Sequence, residues 1–302
     1  MSIELPEGLM SRPATAGDIP ALVGLIAASE EHDDGAVEID ADDLVMDFGR
    51  VGFDPGTDAI LVFDGSLLVG WAELYRERAD VDVRPSHRGR GVGSALLAWA
   101  EARARESGLT QVDQIRTDGD GDAKDLFGSH GYGPKWNSWI LRIELGEPTP
   151  PAVIPAGIAF LPYDPSRDER ATHRLWENAM SAVRGREPEP FDVWASQTIA
   201  HANFDPAMSR AALAADDLVA TLLAYDIVAV GEVWIGQVAT EASYRRRGIA
   251  SALLREVFTA AREIGRDRCG LSTDSVTGAR ALYERQGMRV VRSYTRFSKA
   301  LS

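Results

Sequence analysis

The sequence is short of cysteine and of positive charge. Its 302 residues include one cysteine, Cys269, so an intrachain disulfide is excluded and a reducing compartment is favoured. The 32 Lys and Arg residues are outnumbered by 46 Asp and Glu residues, which gives a formal net charge of −14. That charge argues against a nucleic-acid partner recognised through a basic surface, and it is compatible with a cationic amine ligand.

Long apolar runs and targeting signals are also missing. No apolar run approaches the roughly 18 residues that suggest a membrane-spanning helix, so we expect no membrane partner. The N-terminal stretch MSIELPEG has neither the basic nor the apolar region of a secretory signal peptide. We therefore expect a cytoplasmic protein. The sequence leaves the oligomeric state open.

What the sequence does contain is an internal repeat. Arg88 and Arg245 are 157 residues apart, and the Ser-Ala-Leu-Leu runs that begin at Ser94 and Ser251 have the same offset. Leu126-Phe127 and Leu282-Tyr283 follow at an offset of 156. An offset that changes by only one over some forty residues indicates duplication of a whole domain. We predict an N-terminal domain over residues 1–146, a Pro-rich linker over 147–155 and a C-terminal domain over 156–302.

Strand and helix patterns run in the same order in both halves. Each half is predicted to be an α/β (α+β) domain with a mixed, mostly antiparallel sheet flanked by helices. Trp136–Leu145 is predicted to close the sheet of the first half, and Val290–Ser298 that of the second.

Two glycine-rich stretches each follow a strand pattern and lead into an amphipathic helix pattern. Such a turn exposes backbone N–H groups at a helix start, where the dipole favours an anion, and small residues allow close approach. We interpret both as pyrophosphate-binding turns. The first cradle comprises Arg88, Gly89, Arg90, Gly91, Val92, Gly93 and Ser94, and the second Arg245, Arg246, Arg247, Gly248, Ile249, Ala250 and Ser251.

Other glycine-rich phosphate motifs fit these stretches less well. A Walker loop ends in Gly-Lys followed by Ser or Thr, and neither cradle has that ending. A dinucleotide fingerprint would lie between a first strand and its helix, with an acid about 20 residues further on. Both cradles instead lie in the middle of their halves and are preceded by arginine.

The cradles share the spacing Gln/Arg-x-x-Gly-x-Gly/Ala, matched by Arg88, Gly91 and Gly93 and by Arg245, Gly248 and Ala250. In this spacing the chain resembles the GNAT superfamily of N-acetyltransferases over nearly its whole length. The resemblance implies acetyl-CoA as cofactor, with its pyrophosphate in the cradle, and an amine as acceptor. We expect the primary amine of a small molecule, and the sequence leaves aminoglycoside-like antibiotics and a peptide N-terminus open as well. It also implies that the thioester oxygen meets backbone N–H groups of the preceding strand, around Val81 and Val83 or around Val238 and Thr240.

The resemblance further implies which half performs the transfer. In the family, a tyrosine within a Leu-Tyr pair of a late helix protonates the leaving thiolate, and Leu282-Tyr283 matches that pair. Phe127 occupies the equivalent place in the first half, and a phenyl ring has no proton to donate. The second half is therefore expected to be catalytic, with Tyr283 as general acid. Many relatives carry Asn where this chain has Ser275. The serine hydroxyl can still donate one hydrogen bond to the pantetheine part of CoA, but its side chain is shorter.

Two alternatives follow from those departures. Phe127 and Ser275 are also compatible with an acyl-CoA-binding module without catalytic activity. In a second alternative, the N-terminal copy is the enzyme and uses water or another group in place of tyrosine.

The general base and the acceptor site stay open. Relatives often deprotonate the amine through ordered water, and we interpret three carboxylates as solvated or capping groups: Glu232, Glu241 and Asp274. Three aromatic residues either line an acceptor pocket or pack in the core: Trp176, Phe191 and Trp194.

Two acidic clusters are interpreted as loops, so no metal site is predicted. Asp118, Asp120 and Asp122 resemble the first ligands of a calcium loop, but Ala123 and Ser129 replace its turn glycine and bidentate Glu. That segment is more readily a loop beside the CoA site. His32-Asp33-Asp34 lacks spaced partners and is interpreted as a solvated loop.

Overall fold

The computed structural model describes residues 3–37, 39–147, 151–181 and 187–301. Among these residues, no helix combines the length and the apolar character that crossing a bilayer requires. The first half of the sequence forms β1 (Leu9–Pro13), α1 (Ile19–Asp34), α2 (Ala41–Phe48), α3 (Pro55–Asp58), β2 (Ala59–Asp64), β3 (Leu67–Tyr75), β4 (Arg78–Val83), α4 (Val92–Glu106), β5 (Gln111–Thr117), α5 (Gly121–Ser129) and β6 (Gly133–Glu144).

The second half repeats this order of elements, except that α3 has no counterpart among its described residues. It forms β7 (Ala159–Pro162), α6 (Pro165–Met180), α7 (Phe191–Gln197), β8 (Arg210–Ala214), β9 (Asp217–Ile227), β10 (Glu232–Thr240), α8 (Ile249–Glu263), β11 (Arg268–Asp274), α9 (Arg280–Arg285) and β12 (Arg289–Ala300). The repeated order follows the internal repeat in the sequence.

The chain divides into two compact units whose closing strands are exchanged. The first unit is Met1–Asn137 with Ser293–Ser302, and the second is Ser138–Arg292. In the second unit, residues 138–144 of β6 pair antiparallel with β11. In the first, residues 294–300 of β12 pair antiparallel with β5. The prediction that each closing strand completes the sheet of its own half is therefore wrong.

The physical reason is that strand partners are not encoded locally. Both closing strands contain 12 residues and can pair antiparallel with the exposed edge of either β5 or β11. Side chains on the exchanged strands then complete the cores: Leu141 packs in the second unit and Phe297 in the first. The sequence placed the domain division at the Pro-rich segment, of which residues 148–150 lie outside the described residues.

The sheet of the first unit runs in the order β1, β2, β3, β4, β5, β12. One face packs against α4 through a core that includes Val69, Val81 and Leu96. The other face packs against α1 and α2 through Leu22, Leu61 and other residues. Gly70 on β3 permits the close packing of α4, because a Cβ there would lie 2.9 Å from Cγ1 of Val92.

The sheet of the second unit runs in the order β6, β11, β10, β9, β8, β7. Its face against α8 forms the larger core, with Leu253, Val257 and Phe258 fully buried. A separate cluster around Trp194 and Leu223 covers the opposite face under α6 and α7. The helix that follows the second cradle, α8, therefore packs on one face of the sheet, and α6 and α7 pack on the other.

Candidate active site

The two cradles have the same backbone conformation. Gly91 and Gly248 adopt left-handed φ values of 87° and 86° and immediately precede α4 and α8. Two residues earlier, Gly89 and Arg246 are also left-handed, with φ values of 70° and 61°. This conformation is strained for an arginine, since its Cβ crowds the backbone. The repeat therefore extends to individual dihedral angles.

Both cradles present a row of backbone donors. In the described part of the chain, the N–H groups of residues 89–94 and of residues 246–251 have no hydrogen-bond partner. The first N–H groups of any α-helix lack intrahelical partners, and the helix dipole adds partial positive charge at the same end. These features are typical of helix starts that bind phosphate groups. The cradle residues predicted from the sequence therefore lie together in the fold, once in each unit.

The leading arginines of the two cradles have different partners. Nε of Arg88 donates to the carbonyl oxygen of Val83 over 3.2 Å, and Nε of Arg245 donates to that of Thr240 over 3.1 Å. The rest of the Arg88 guanidinium binds both carboxylate oxygens of Asp33, at 2.6 and 2.7 Å. No carboxylate of the described residues is bound to Arg245. The first cradle thus has its arginine neutralised, and the second does not.

Asp33 corrects the interpretation of its segment as a solvated loop. His32, Asp33 and Asp34 form the last turn of α1, which ends at Gly35. The Arg88 bond holds this turn against the first cradle. Sequence spacing alone gave no signal of that pairing, because the partners are 55 residues apart.

The other two arginines of the second cradle are exposed. Arg246 and Arg247 have no ion-pair partner among the described residues. Nη2 of Arg247 donates to the carbonyl oxygen of Ser243, and its guanidinium lies 4.7 Å from the ring centroid of Tyr244. The second cradle therefore offers unneutralised positive charge beside its open N–H groups.

In each unit the strand before the cradle separates from its parallel neighbour. β4 and β5 pair only at Arg78 and Asp113. β10 and β11 pair from Glu232 to Ile235 and not beyond. The predicted oxygen-binding segments, Val81 with Val83 and Val238 with Thr240, lie in these unpaired portions. Part of their backbone polar groups therefore faces a gap and is available to a ligand.

In the first unit this gap is a cavity of about 550 Å³. Its lining joins β4, the first cradle, β5 and α5, and includes Val81, Gly91, Arg116 and Phe127. The carboxylate of Asp120 accepts a hydrogen bond from the N–H of Ala123 at the start of α5. Asp120 and Asp122 also line the cavity. The acidic segment is thus a loop that leads into α5 beside this cleft, and its position beside the CoA site stays a prediction.

β10 carries an irregularity that β4 lacks. The register of β10 with β9 shifts between Ile235 and Gln237, which makes Gly236 the residue of a β-bulge. A Cβ at Gly236 would overlap the ring of Tyr225, so this position requires glycine. The pairing of β3 with β4 continues without a shift. The bulge lies two residues before Val238, at the point where β10 leaves β11.

Tyr283 and Phe127 occupy equivalent helices in the two units. Tyr283 on α9 is 8% exposed, and its hydroxyl has no hydrogen-bond partner among the described residues. Burial, with a smaller contribution from the charge of Asp274, raises the pKa of Tyr283 to about 12. Phe127 on α5 is 2% exposed and packs its ring against Tyr132 and Phe297. Only the second unit therefore carries a phenol at this place.

The carboxylates near the central strands of the second unit have structural partners. Glu241 is the N-cap of a short helical turn and accepts from the N–H of Ala242, so it is a capping group as predicted. Asp274 accepts from the N–H groups of residues 276 and 277 in the turn after β11. Glu232 is neither solvated nor capping. It is 2% exposed and accepts from Nε of Arg142 at 2.9 Å and of Arg268 at 3.2 Å. The sequence missed this pairing because Arg142 lies on the exchanged strand.

The helices opposite α8 form an aromatic wall. Trp194 on α7 is fully buried, whereas Trp176 and Phe191 are partly buried around it. The Nε1–H of Trp194 donates to Oε1 of Gln237 at 3.2 Å. Trp194 thus belongs to the core, and it also touches the strand segment that follows the bulge. Ser275 is exposed in the turn between β11 and α9.

Comparison with known proteins identifies the class. The family model described as acetyltransferase (GNAT) family matches residues 22–132 and again 171–288. The chain therefore belongs to this family and contains two of its domains, which confirms the predicted tandem α/β organisation. Family membership and the relatives below make it an N-acetyltransferase that depends on acyl-CoA.

Several proteins are similar along most of their length. A mycothiol acetyltransferase of Thermobispora bispora is 27% identical over 293 residues, 90% of this chain and 93% of the relative. One from Pseudarthrobacter chlorophenolicus is 28% identical over 243 residues, 74% and 72% of the two chains. A GCN5-related N-acetyltransferase from Sphaerobacter thermophilus is 31% identical in sequence to this chain. Its crystal structure superposes on this one with a TM-score of 0.84 over 99% of this chain and 97% of the other.

A further structure shares the fold. A tandem GNAT protein from the clavulanic acid biosynthesis pathway has a TM-score of 0.74 at 17% identity, over 97% of this chain and 99% of the other. The duplicated arrangement is therefore found in solved structures with little sequence in common.

Proposed function

We propose that the second unit transfers an acetyl group from acetyl-CoA to the primary amine of a small molecule by direct attack of the amine. The observation that carries the proposal is that the unneutralised cradle, the bulged strand and Tyr283 all belong to one unit. The first unit has a cradle and a cleft but has Phe127 in place of the phenol. We infer that it binds acetyl-CoA without transferring the acetyl group.

The hydrogen-bond donors and charges of the second cradle are chemically suited to acetyl-CoA. The open N–H groups of residues 246–251 suit a pyrophosphate, and Arg245, Arg246 and Arg247 add positive charge. When bound there, acetyl-CoA supplies a thioester as acyl donor. Gly248 and the small side chains of Ala250 and Ser251 leave the backbone accessible.

Two groups of the second unit then act on the reaction. Backbone N–H groups around Val238 face the gap between β10 and β11 and stabilise negative charge that develops on an oxygen there. The Tyr283 hydroxyl keeps its proton through the neutral range because its pKa is raised to about 12. It can therefore donate a proton to a leaving sulfur and cannot serve as the base. The amine loses its own proton to water or to another group.

The proposal is tested by turnover with a library of small primary amines. The intact protein is incubated with acetyl-CoA and each amine, and release of free thiol and the mass of the product are followed together. We expect stoichiometric thiol and N-acetylated product with at least one amine. Binding of acetyl-CoA without product from any amine would contradict the proposal and favour an acyl-CoA-binding module.

A further inference from the structure

Gln237 lies beside the expected reaction centre, and its side chain lies on the face opposite α8. It follows the bulge at Gly236 and immediately precedes Val238. Val238 packs against the core under α8, whereas Gln237 contacts Trp194 of α7. Gln237 is therefore next in sequence to the expected backbone donor at Val238 and in contact with α7.

The orientation of the Gln237 amide is fixed by its partner. An indole N–H only donates, so the atom 3.2 Å from Nε1 of Trp194 must be the amide oxygen. Because Trp194 is fully buried, the indole holds that oxygen in place. Nε2 of Gln237 then points away from Trp194, and it has no partner among the described residues. The side chain is half-buried, so this amino group is positioned and remains open to a ligand.

We propose that Nε2 of Gln237 donates a hydrogen bond to an oxygen of the acceptor, and that it thereby selects amines bearing a hydroxyl, ether or carbonyl oxygen close to the amino group. An amide NH₂ repels an ammonium group and has nothing to donate to a bare alkyl chain. A site that donates to an oxygen discriminates against an analogue lacking it, because the donor is then desolvated without a partner. This inference rests on the proposed function of the second unit.

The test uses 2-methoxyethylamine with butylamine, which have an oxygen and a methylene group at the same place. Two further pairs add a carbonyl or several hydroxyl oxygens near the amino group: glycinamide with propylamine, and glucosamine with cyclohexylamine. An oxygen near the amino group also lowers the pKa of the amine, so kcat/KM is calculated on the concentration of neutral amine. On that basis the intact protein is expected to favour the oxygen-bearing member by about tenfold or more, the order of discrimination a single polar contact supports. Acetyl-CoA affinity, measured separately by calorimetry, is the control for folding and cofactor binding.

Gln237→Glu is the decisive variant because it has the same shape. Its carboxylate still accepts from Trp194, but its second oxygen cannot donate. We expect the preference ratio within a pair to fall to about one, with acetyl-CoA affinity changed less than about twofold. The ratio is the readout, since the added negative charge affects both members of a pair alike. Trp194→Phe keeps the donor but releases its orientation, so we expect a reduced preference.

The possible results distinguish failure of this inference from failure of the proposed function on which it rests. If the parent accepts amines without preferring the oxygen-bearing members, the role of Gln237 is overturned while the transferase proposal stands. The same holds if Gln237→Glu retains the preference, because Gln237 then only supports Trp194. If the parent acetylates no member of any pair and no amine of the wider library, the transferase proposal fails, and this inference fails with it.

Discussion

The two units contain the same cradle with different surroundings. In the first, Asp33 neutralises Arg88 and Phe127 occupies the helix beside the cleft. In the second, Arg245 has no carboxylate partner and Tyr283 takes the equivalent place. The two units thus share the backbone turn that we propose binds pyrophosphate, and they differ in the residues around it. The units differ in these side chains and in the bulge of β10, so substitutions that exchange or remove the side chains should separate binding from transfer.

The largest expected effect comes from closing the second cradle. Gly248→Glu places a side chain where φ is 86° and adds a carboxylate at the phosphate site. Strain and charge repulsion together should lower turnover by about 100-fold or more. The matched variant Gly91→Glu makes the same change in the first cradle and should retain turnover within about threefold. Equal losses in the two variants, measured as thiol release, would show that the first unit also takes part in transfer.

Removal of the phenol should have the next largest effect. Tyr283→Phe deletes the proton donor and keeps the ring, so kcat should fall about tenfold or more, with acetyl-CoA affinity nearly unchanged. Phe127→Tyr supplies the first unit with a hydroxyl but not with the bulge found in β10. In the Tyr283→Phe background it should restore no turnover. Unchanged kcat in Tyr283→Phe would remove Tyr283 from the mechanism.

A smaller effect is expected from releasing Arg88. Asp33→Asn frees the guanidinium for a phosphate and removes a negative charge from the first cradle. In a Gly248→Glu background, acetyl-CoA should bind about fivefold more tightly, since a partly exposed charge contact contributes on the order of 1 kcal/mol. Calorimetry measures the change, and Asp34→Asn, one residue along the same turn, is the control. Unchanged or weaker binding would mean that Asp33 positions Arg88 productively.

The smallest effect concerns pH. The pKa of Tyr283 is raised to about 12, so the phenol stays protonated as pH rises through the neutral and mildly alkaline range. The ratio of turnover between the parent and Tyr283→Phe should therefore stay constant up to about pH 10, well below that pKa. A descending limb near about pH 9 that disappears in Tyr283→Phe would contradict the raised pKa.

Much of the fold and the core of the site could be predicted because the signals are local. The spacing of Arg245, Gly248 and Ala250 specifies a turn and a helix start, and the repeat at Arg88 doubles that signal. Alternation of strand and helix patterns gave the class of each half. Tyr283 was singled out because Leu282-Tyr283 matches the Leu-Tyr pair of the family, and its counterpart Phe127 was located through the repeat.

The rest depends on contacts between residues far apart in sequence. No local pattern distinguishes β6 from β12 as partners of β5 and β11, so the exchange was missed. The pairings of Asp33 with Arg88 and of Glu232 with Arg142 join residues 55 and 90 positions apart. In the sequence, Gly236 cannot be distinguished from an ordinary strand glycine, because the shift in the register of β10 with β9 is seen only in the structure. The proposed role of Gln237 depends on that shift.

The central claim is that open helix starts bind the pyrophosphate of acetyl-CoA, and calorimetric titration of the intact protein tests it most directly. We predict saturable heat with acetyl-CoA, and loss of part of that heat in Gly248→Glu. Absence of binding to the intact protein, or full retention of both heat and stoichiometry in the Gly248→Glu, Gly91→Glu double variant, would contradict it.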